Sequence, residues 1–206
     1  MIRYLLEPCF MMYDNALAKA DNDKSKIEFI EPSIQTAHLE AMSKRRWEWI
    51  RVGFNNNVRG CSREDAQRLY QLVDNIANLF KFRLHNHLSE PRAITFSISA
   101  LQSLDAKHQE DLERILRIAR RAQILFMRPS TAKDEGRQDD YYTFDRLLWV
   151  DRGLDPVGQN ARVSIEARFL WEAAFENKAI PTSSSEKKDR AKDIAIHPDL
   201  FKELGQ

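Results

Sequence analysis

Arg114, Arg117 and Arg121 are spaced i, i+3 and i+7, with Arg120 beside them. On a helix that spacing brings three guanidinium groups to one face. Arginine's planar fork of N–H donors suits phosphate oxygens and the edge of guanine. Leu112, Ile115, Leu116 and Ala119 recur on another face of the same stretch. A helix that packs with one side and displays arginine on the other is built to dock, and the major groove of DNA accepts such a helix. Arg128, Lys133 and Arg137 follow and would carry cations along the next segment. Glu110 and Glu113 neutralise part of this face, so a merely solvated helix is the competing account.

Other chemistry finds less footing. Lys44-Arg45-Arg46-Trp47-Glu48-Trp49-Ile50-Arg51 mixes cations with aromatic rings. Such a cluster can stack on bases, but core tryptophans flanked by arginines that extend their stems over apolar surface are favoured here. His85-Asn86-His87 places two imidazoles two apart at a helix end, where they do not face each other, so no metal role follows. The phosphate-cradling patterns G-x-x-x-x-G-K-[ST] and G-x-G-x-x-G are absent, and no cofactor is implied. No G-x-S-x-G elbow is present. The carboxylates Asp139-Asp140, and Asp151 with Asp155, leave room for a cryptic metal-dependent nuclease, whereas Asp134-Glu135 beside Gly136 reads as a solvated turn.

Composition bounds the remaining options. Hydrophobic residues make up 43% and charged residues 31%, enough apolar material for a packed core. The net charge is +1, so any basic surface must be local. Cys9 and Cys61 form neither a disulfide framework nor a zinc pattern, which points to a reducing cytoplasm. No apolar run is long enough for a membrane span, and the N-terminus lacks a signal-peptide layout.

The elements that must position the arginines follow from periodicity. Residues 1–20 read as a weak helix interrupted by Pro8, and residues 21–26 as a polar loop. A second helix starts near Pro32 and runs toward Trp49, ended by Gly53-Phe54-Asn55-Asn56-Asn57. Ser62 and Asp65 form a variant capping box before the clearest amphipathic run, Ala66 to Leu84, which must end before Pro91. Ile94, Phe96 and Ile98 alternate with Thr95 and Ser97 as a strand. Ser103 or Asp105 opens the arginine helix. Ile124 to Met127 and Tyr141 to Phe144 read as two strands about a turn at Lys133-Asp134-Glu135-Gly136. Strand, helix and hairpin in that order are what a winged helix shows in its C-terminal half. Gly153-Leu154-Asp155-Pro156 turns the chain, Val163 and Ile165 add a strand, and Phe169 to Phe175 forms a short aromatic helix. Residues 181–192, rich in serine and charge, read as a linker. Ile194, Ile196, Leu200, Phe201 and Leu204 could form a short docking tail.

The stretch Ser89 to Trp171 resembles a known family. Ser89-Glu90-Pro91-Arg92-Ala93-Ile94-Thr95-Phe96-Ser97 is similar to the segment leading into the C-terminal winged helix of bacterial origin-recognition-complex-like AAA+ ATPases of the signalling, defence-associated kind. Gly136-Arg137, Tyr141-Tyr142, Arg146-Leu147-Leu148, Gly153-Leu154-Asp155-Pro156 and Gly158-Gln159 continue the likeness. The helix from Ser62 to Leu88 would then match the end of the helical lid. That family carries phosphate- and metal-binding motifs upstream, and this sequence has neither. The resemblance therefore implies a recognition end without the ATPase core.

The resulting expectation is a mainly α fold with a small β component. Residues 1–90 form a helical region, 91–180 a winged-helix-like domain, and 181–206 a flexible linker and short tail. The expected function is non-catalytic recognition of DNA or of a partner protein, such as an ATPase, as an accessory subunit of a multi-component bacterial system. The binding set is Arg114, Arg117, Arg120, Arg121, Arg128, Lys133 and Arg137. No metal or membrane is expected, and an oligomer or hetero-complex fits. A nuclease and a purely structural subunit are the alternatives.

Overall fold

The computed structural model describes residues 2–54, 58–86, 93–129, 140–154 and 161–182. Helix α1 spans Ile2–Lys19 and carries Pro8 inside it. The expected interruption does not occur. Proline removes one amide donor and crowds the preceding turn, but α1 is held by packing. Met12 and Ala16 bury against Ile34, with Ile27, Ile30 and Leu39 around them. Ile34 belongs to α2, Pro32–Glu48, which begins with Pro32 in its first turn and continues into a π-helical turn over Trp49–Gly53.

Helix α3, Arg63–Asn86, starts as its sequence dictates. The Asp65 amide donates to Ser62 Oγ at 3.0 Å, and the Ser62 amide donates to Asp65 Oδ2 at 3.0 Å. Two amides that the helix cannot satisfy internally are thereby paired reciprocally. The apolar face then buries Leu69, Leu72, Val73, Ile76, Leu79 and Phe80.

Strand β1, Ala93–Ser99, leads through a 3₁₀ turn at Leu101–Ser103 to helix α4, Ala106–Arg121. Strands β2, Leu125–Arg128, and β3, Tyr141–Phe144, follow. Helix α5 covers Leu147–Arg152, strand β4 Ala161–Glu166, and helix α6 Ala167–Phe175. The sheet order is β2-β3-β1-β4. β3 lies antiparallel to both β2 and β1, whereas β4 runs parallel to β1. The portion β1–α4–β2–β3 is the winged-helix-like part, and β4 extends it. The expected fold class, mostly helical with a small sheet, is what the chain adopts.

Alternation along the strands gives the sheet an apolar face. Ile94, Phe96, Leu125, Tyr142, Phe144, Val163 and Ile165 join one cluster with α3, α4, α5 and α6 that runs in sequence from Trp47 to Ile180. Ser97, on the other face, is buried too, so β1 is covered on both sides at its centre. Leu147 to Val150, which the sequence marks only as apolar, forms α5. That helix closes on Gly153, whose φ of +62° is a backbone conformation that costs glycine nothing.

Candidate nucleic-acid interface

Helix α4 is positioned from its first residue. Asp105 Oδ1 accepts the His108 amide at 2.8 Å, the expected N-cap. Leu112, Ile115, Leu116, Ile118 and Ala119 are buried. With that stripe against the core, Glu113, Arg117, Arg120 and Arg121 are exposed. Arg120 Nη1 lies 3.1 Å from Met127 Sδ, so this face runs without a break onto β2. Arg128, at the end of β2 opposite Tyr141, is exposed as well. Lys133 and Arg137, with the turn expected around them, lie outside the described residues.

Arg114 has a different setting. Its Nη2 donates to Asp65 Oδ2 at 2.7 Å. The Asp65 side chain is 1% exposed while that of Arg114 is 54% exposed. One end of this pair is therefore an enclosed carboxylate in the first turn of α3. In the sequence Asp65 reads only as a cap, because a partner from another helix leaves no local signal.

The charges at the base of the hairpin act on Tyr142. Burial holds its phenol above the ordinary tyrosine value, Arg120 opposes that rise, and Asp140 and Glu113 add to it. Both signs of charge thus meet beside Tyr142, with Arg117, Arg120 and Arg121 in the C-terminal half of α4, next to the sheet, and Glu110, Asp111 and Glu113 nearer its middle.

The second basic cluster sends Arg46, Trp47 and Ile50 into the interior and leaves Lys44, Arg45 and Arg51 exposed. Trp47 is 4% exposed and its Nε1 donates to the Leu148 carbonyl at 3.1 Å. Arg46 is 8% exposed, pairs with Asp145, and donates to the carbonyls of Ala122 at 3.1 Å and Gln123 at 3.4 Å. The Asp151 amide donates to Ser43 Oγ at 2.9 Å. These contacts fasten α2 to α5 and to the C-terminal end of α4. The core-tryptophan reading is the right one for this cluster.

The remaining candidates are placed as follows. His85 Nδ1 is 2.8 Å from the Lys81 carbonyl, an i to i−4 contact, and His87 lies outside the described residues. Among the described residues no three His, Cys, Asp or Glu side chains gather as a metal site. Asp151 and Asp140 are exposed, and Asp139 and Asp155 are outside the described residues. No helix among the described residues is long and apolar enough to cross a membrane.

The sequence model of the ORC-CDC6-like family matches residues 1–165. The chain belongs to the ORC-CDC6-like family. The match takes in α1, α2 and α3 as well as the winged-helix-like part, so the family's territory reaches well upstream of the Ser89–Trp171 stretch that carries the resemblance in the sequence. No curated protein and no solved structure matches the chain.

Proposed function

We propose that this ORC-CDC6-like chain is a non-catalytic recognition module that docks on duplex DNA through the exposed face of α4. Arg117, Arg120 and Arg121 contact phosphate or groove edges, Arg128 extends the contact along β2, and Lys133 and Arg137 carry it into the hairpin. One observation carries the reading: the helix preceding the hairpin buries Leu112, Ile115, Leu116 and Ala119 while Arg117, Arg120 and Arg121 on its far side face solvent. On a packed helix the backbone is already ordered, so only the arginine side chains themselves remain to be fixed on phosphate, which favours docking. The division at residue 90 then separates a helical support, 1–90, from the reading head, 91–180; the linker and tail expected over 181–206 lie, from residue 183 on, outside the described residues.

The test is affinity for a short duplex as a function of salt. Alanine at Arg117, Arg120 or Arg121 should lower the slope of log K against log salt by about one for every phosphate that the arginine neutralises. An unchanged slope in the triple variant would leave the face merely solvated.

A protein partner is favoured by a separate surface. Leu6, Phe10 and Phe29 are 60%, 69% and 69% exposed on the α1–α2 hairpin. Large apolar side chains left in water this way commonly mark an interface. The accessory-subunit reading, with an ATPase or another copy as partner, belongs to this hairpin rather than to α4. Phe10→Ser should abolish such an assembly in sedimentation velocity while leaving DNA affinity intact.

A further inference from the structure

The arginines of α4 divide into two groups. At 100° per residue, Arg114 and Arg121 lie almost on one line two turns apart, and Arg117 and Arg120 turn progressively away from it. Ile118, one turn beyond Arg114 on its other side, is buried. Arg114 is therefore at the border between the packed face and the exposed one. Its guanidinium reaches back to the enclosed carboxylate of Asp65, whereas that of Arg120 touches the exposed Met127.

Asp65 depends on that guanidinium. Its Oδ2 receives the Ser62 amide and Arg114 Nη2, and its Oδ1 has Arg68 only at 4.0 Å. A carboxylate this enclosed is costly without a close counter-charge. Moving Arg114 onto an external phosphate would strip Asp65 of its nearest cation, a penalty that one screened phosphate contact does not repay. A second tie grips the other end of the helix, where Arg46 Nη2 donates to the carbonyls of Ala122 and Gln123 just past Arg121. Both ties come from residues before 90: Asp65 from the first turn of α3 and Arg46 from α2.

We propose that Arg114 is a positioning residue: together with Arg46 it locks the roll of α4 against α2 and α3, so that Arg117, Arg120 and Arg121 point outward as one rigid set, and it does not itself touch the ligand. This rests on the DNA reading above and narrows the contact residues within it. It also makes the helical region the element that sets the direction in which the reading face points.

The experiment uses the full chain and a short duplex, with affinity measured by fluorescence anisotropy across salt concentrations. Arg114→Ala, Asp65→Asn, the double variant and Arg114→Lys are compared. Asp65→Asn keeps an oxygen for the Ser62 amide, so the helix cap survives, and circular dichroism checks the fold. The expected result is a several-fold drop in affinity in each single variant, no further drop in the double variant, partial recovery with lysine, and a salt slope unchanged from the parent. A slope lowered by about one in Arg114→Ala, or a drop that persists when Asp65 is already asparagine, would show direct contact and overturn the proposal. Tighter binding by Asp65→Asn would show that Asp65 withholds Arg114 from DNA, which overturns it equally. Unchanged affinity in both single variants would reduce the pair to a stability feature and overturn it too. If instead Arg117, Arg120 and Arg121 variants bind like the parent, the DNA reading is what fails. Hydrogen exchange along α4 then decides the strut by itself: equal acceleration in Arg114→Ala and Asp65→Asn supports it, and unaltered exchange rejects it.

Discussion

The guanidinium Nε of Arg46 lies 3.2 Å from Asp145 Oδ2, with side-chain exposures of 8% and 12%. The two residues come from α2 and from the bend between β3 and α5. Around this pair four segments meet. Asp145 donates its amide to the Ile124 carbonyl at 2.9 Å and accepts the Leu147 amide at 3.2 Å, which starts α5. Arg46 also stacks over Trp49, 4.5 Å from the ring centroid, and caps the carbonyl end of α4. Nearby, Arg152 of α5 pairs with Asp74 of α3 and lies 4.3 Å over the Trp47 ring. The basic, aromatic stretch from Lys44 to Arg51 thus serves as a fastener between the helical region and the sheet.

Arg46→Ala should destabilise the fold by about 3–5 kcal/mol, the range for breaking an enclosed pair and leaving one charge behind. Burial already holds the Asp145 carboxyl above the ordinary aspartate value, with Arg46 opposing that rise. A folded value raised in this way gives a contribution fully present below the unfolded value of about 3.9 and lost as pH climbs through the folded one. Without Arg46 the folded value rises further. The deficit of the variant should therefore shrink on acidification toward about pH 4, as urea melts at several pH values would report. A deficit that grows toward acid would contradict this account. Replacing both residues by apolar ones of similar volume should cost less than Arg46→Ala alone.

Gln123→Gly should raise stability by about 0.5–1 kcal/mol. Gln123 closes α4 with φ +56°, in the left-handed region, where a side chain costs roughly 1–2 kcal/mol that glycine avoids at some expense in unfolded-state entropy. The geometry is otherwise that of a well-made helix end, with the Ile124 amide donating to the Ala119 carbonyl at 2.9 Å. Thermal melts check the sign. A lower melting temperature would mean that the Gln123 side chain contributes something the backbone does not reveal.

Leu116→Ala should cost about 2–5 kcal/mol, since Leu116 is 4% exposed within the main cluster. Arg117→Ala, on the exposed face one residue on, should stay within about 0.5 kcal/mol. Denaturant midpoints for the pair measure the two-sidedness of α4 directly. Equal effects would mean that the helix is packed differently from the stripe its sequence spells.

What the sequence reveals is what depends on neighbours two to four positions away. The Ser62–Asp65 box, the Asp105 cap, the Leu112–Ala119 stripe and the alternation of Ile94 and Phe96 are all of that kind, and each falls where its spacing puts it. Pro8 misleads because its local penalty is outweighed by the packing of Met12 and Ala16 on Ile34, a tertiary effect. The parallel pairing of β4 with β1, and α5 between β3 and β4, follow from topology that no local pattern encodes. The same holds for the site. Its exposed arginines are legible from helical spacing, but the bonds that separate Arg114 from Arg117 and tie Arg46 to Asp145 join residues far apart in the chain. Charge type alone gives no indication of which carboxylate each will find.

The Arg114–Asp65 contact has a built-in reporter in Cys61. Its thiol is held above the ordinary cysteine value, first by burial, then by the charge of Asp65, while Arg114 pulls it down. Thiolate is the species that alkylates, so in a Cys9→Ser background Cys61 should react with iodoacetamide more slowly at about pH 8 than a free thiol. Asp65→Asn removes a raising charge and should shift the midpoint of the rate-against-pH curve downward. Arg114→Ala removes a lowering charge and should shift it upward. The sign for stability follows from the same direction. A raised folded value keeps the proton on the thiol after the unfolded chain has begun to lose it near about pH 8.5, so the contribution of this group is complete below that pH and is lost as pH rises through the folded value. Opposite shifts in the two variants are expected because Asp65 and Arg114 act on Cys61 with opposite charge. Shifts of the same sign, or none, would mean that the pair does not sit beside the thiol in solution, and the tie between α3 and α4 would have to be redrawn.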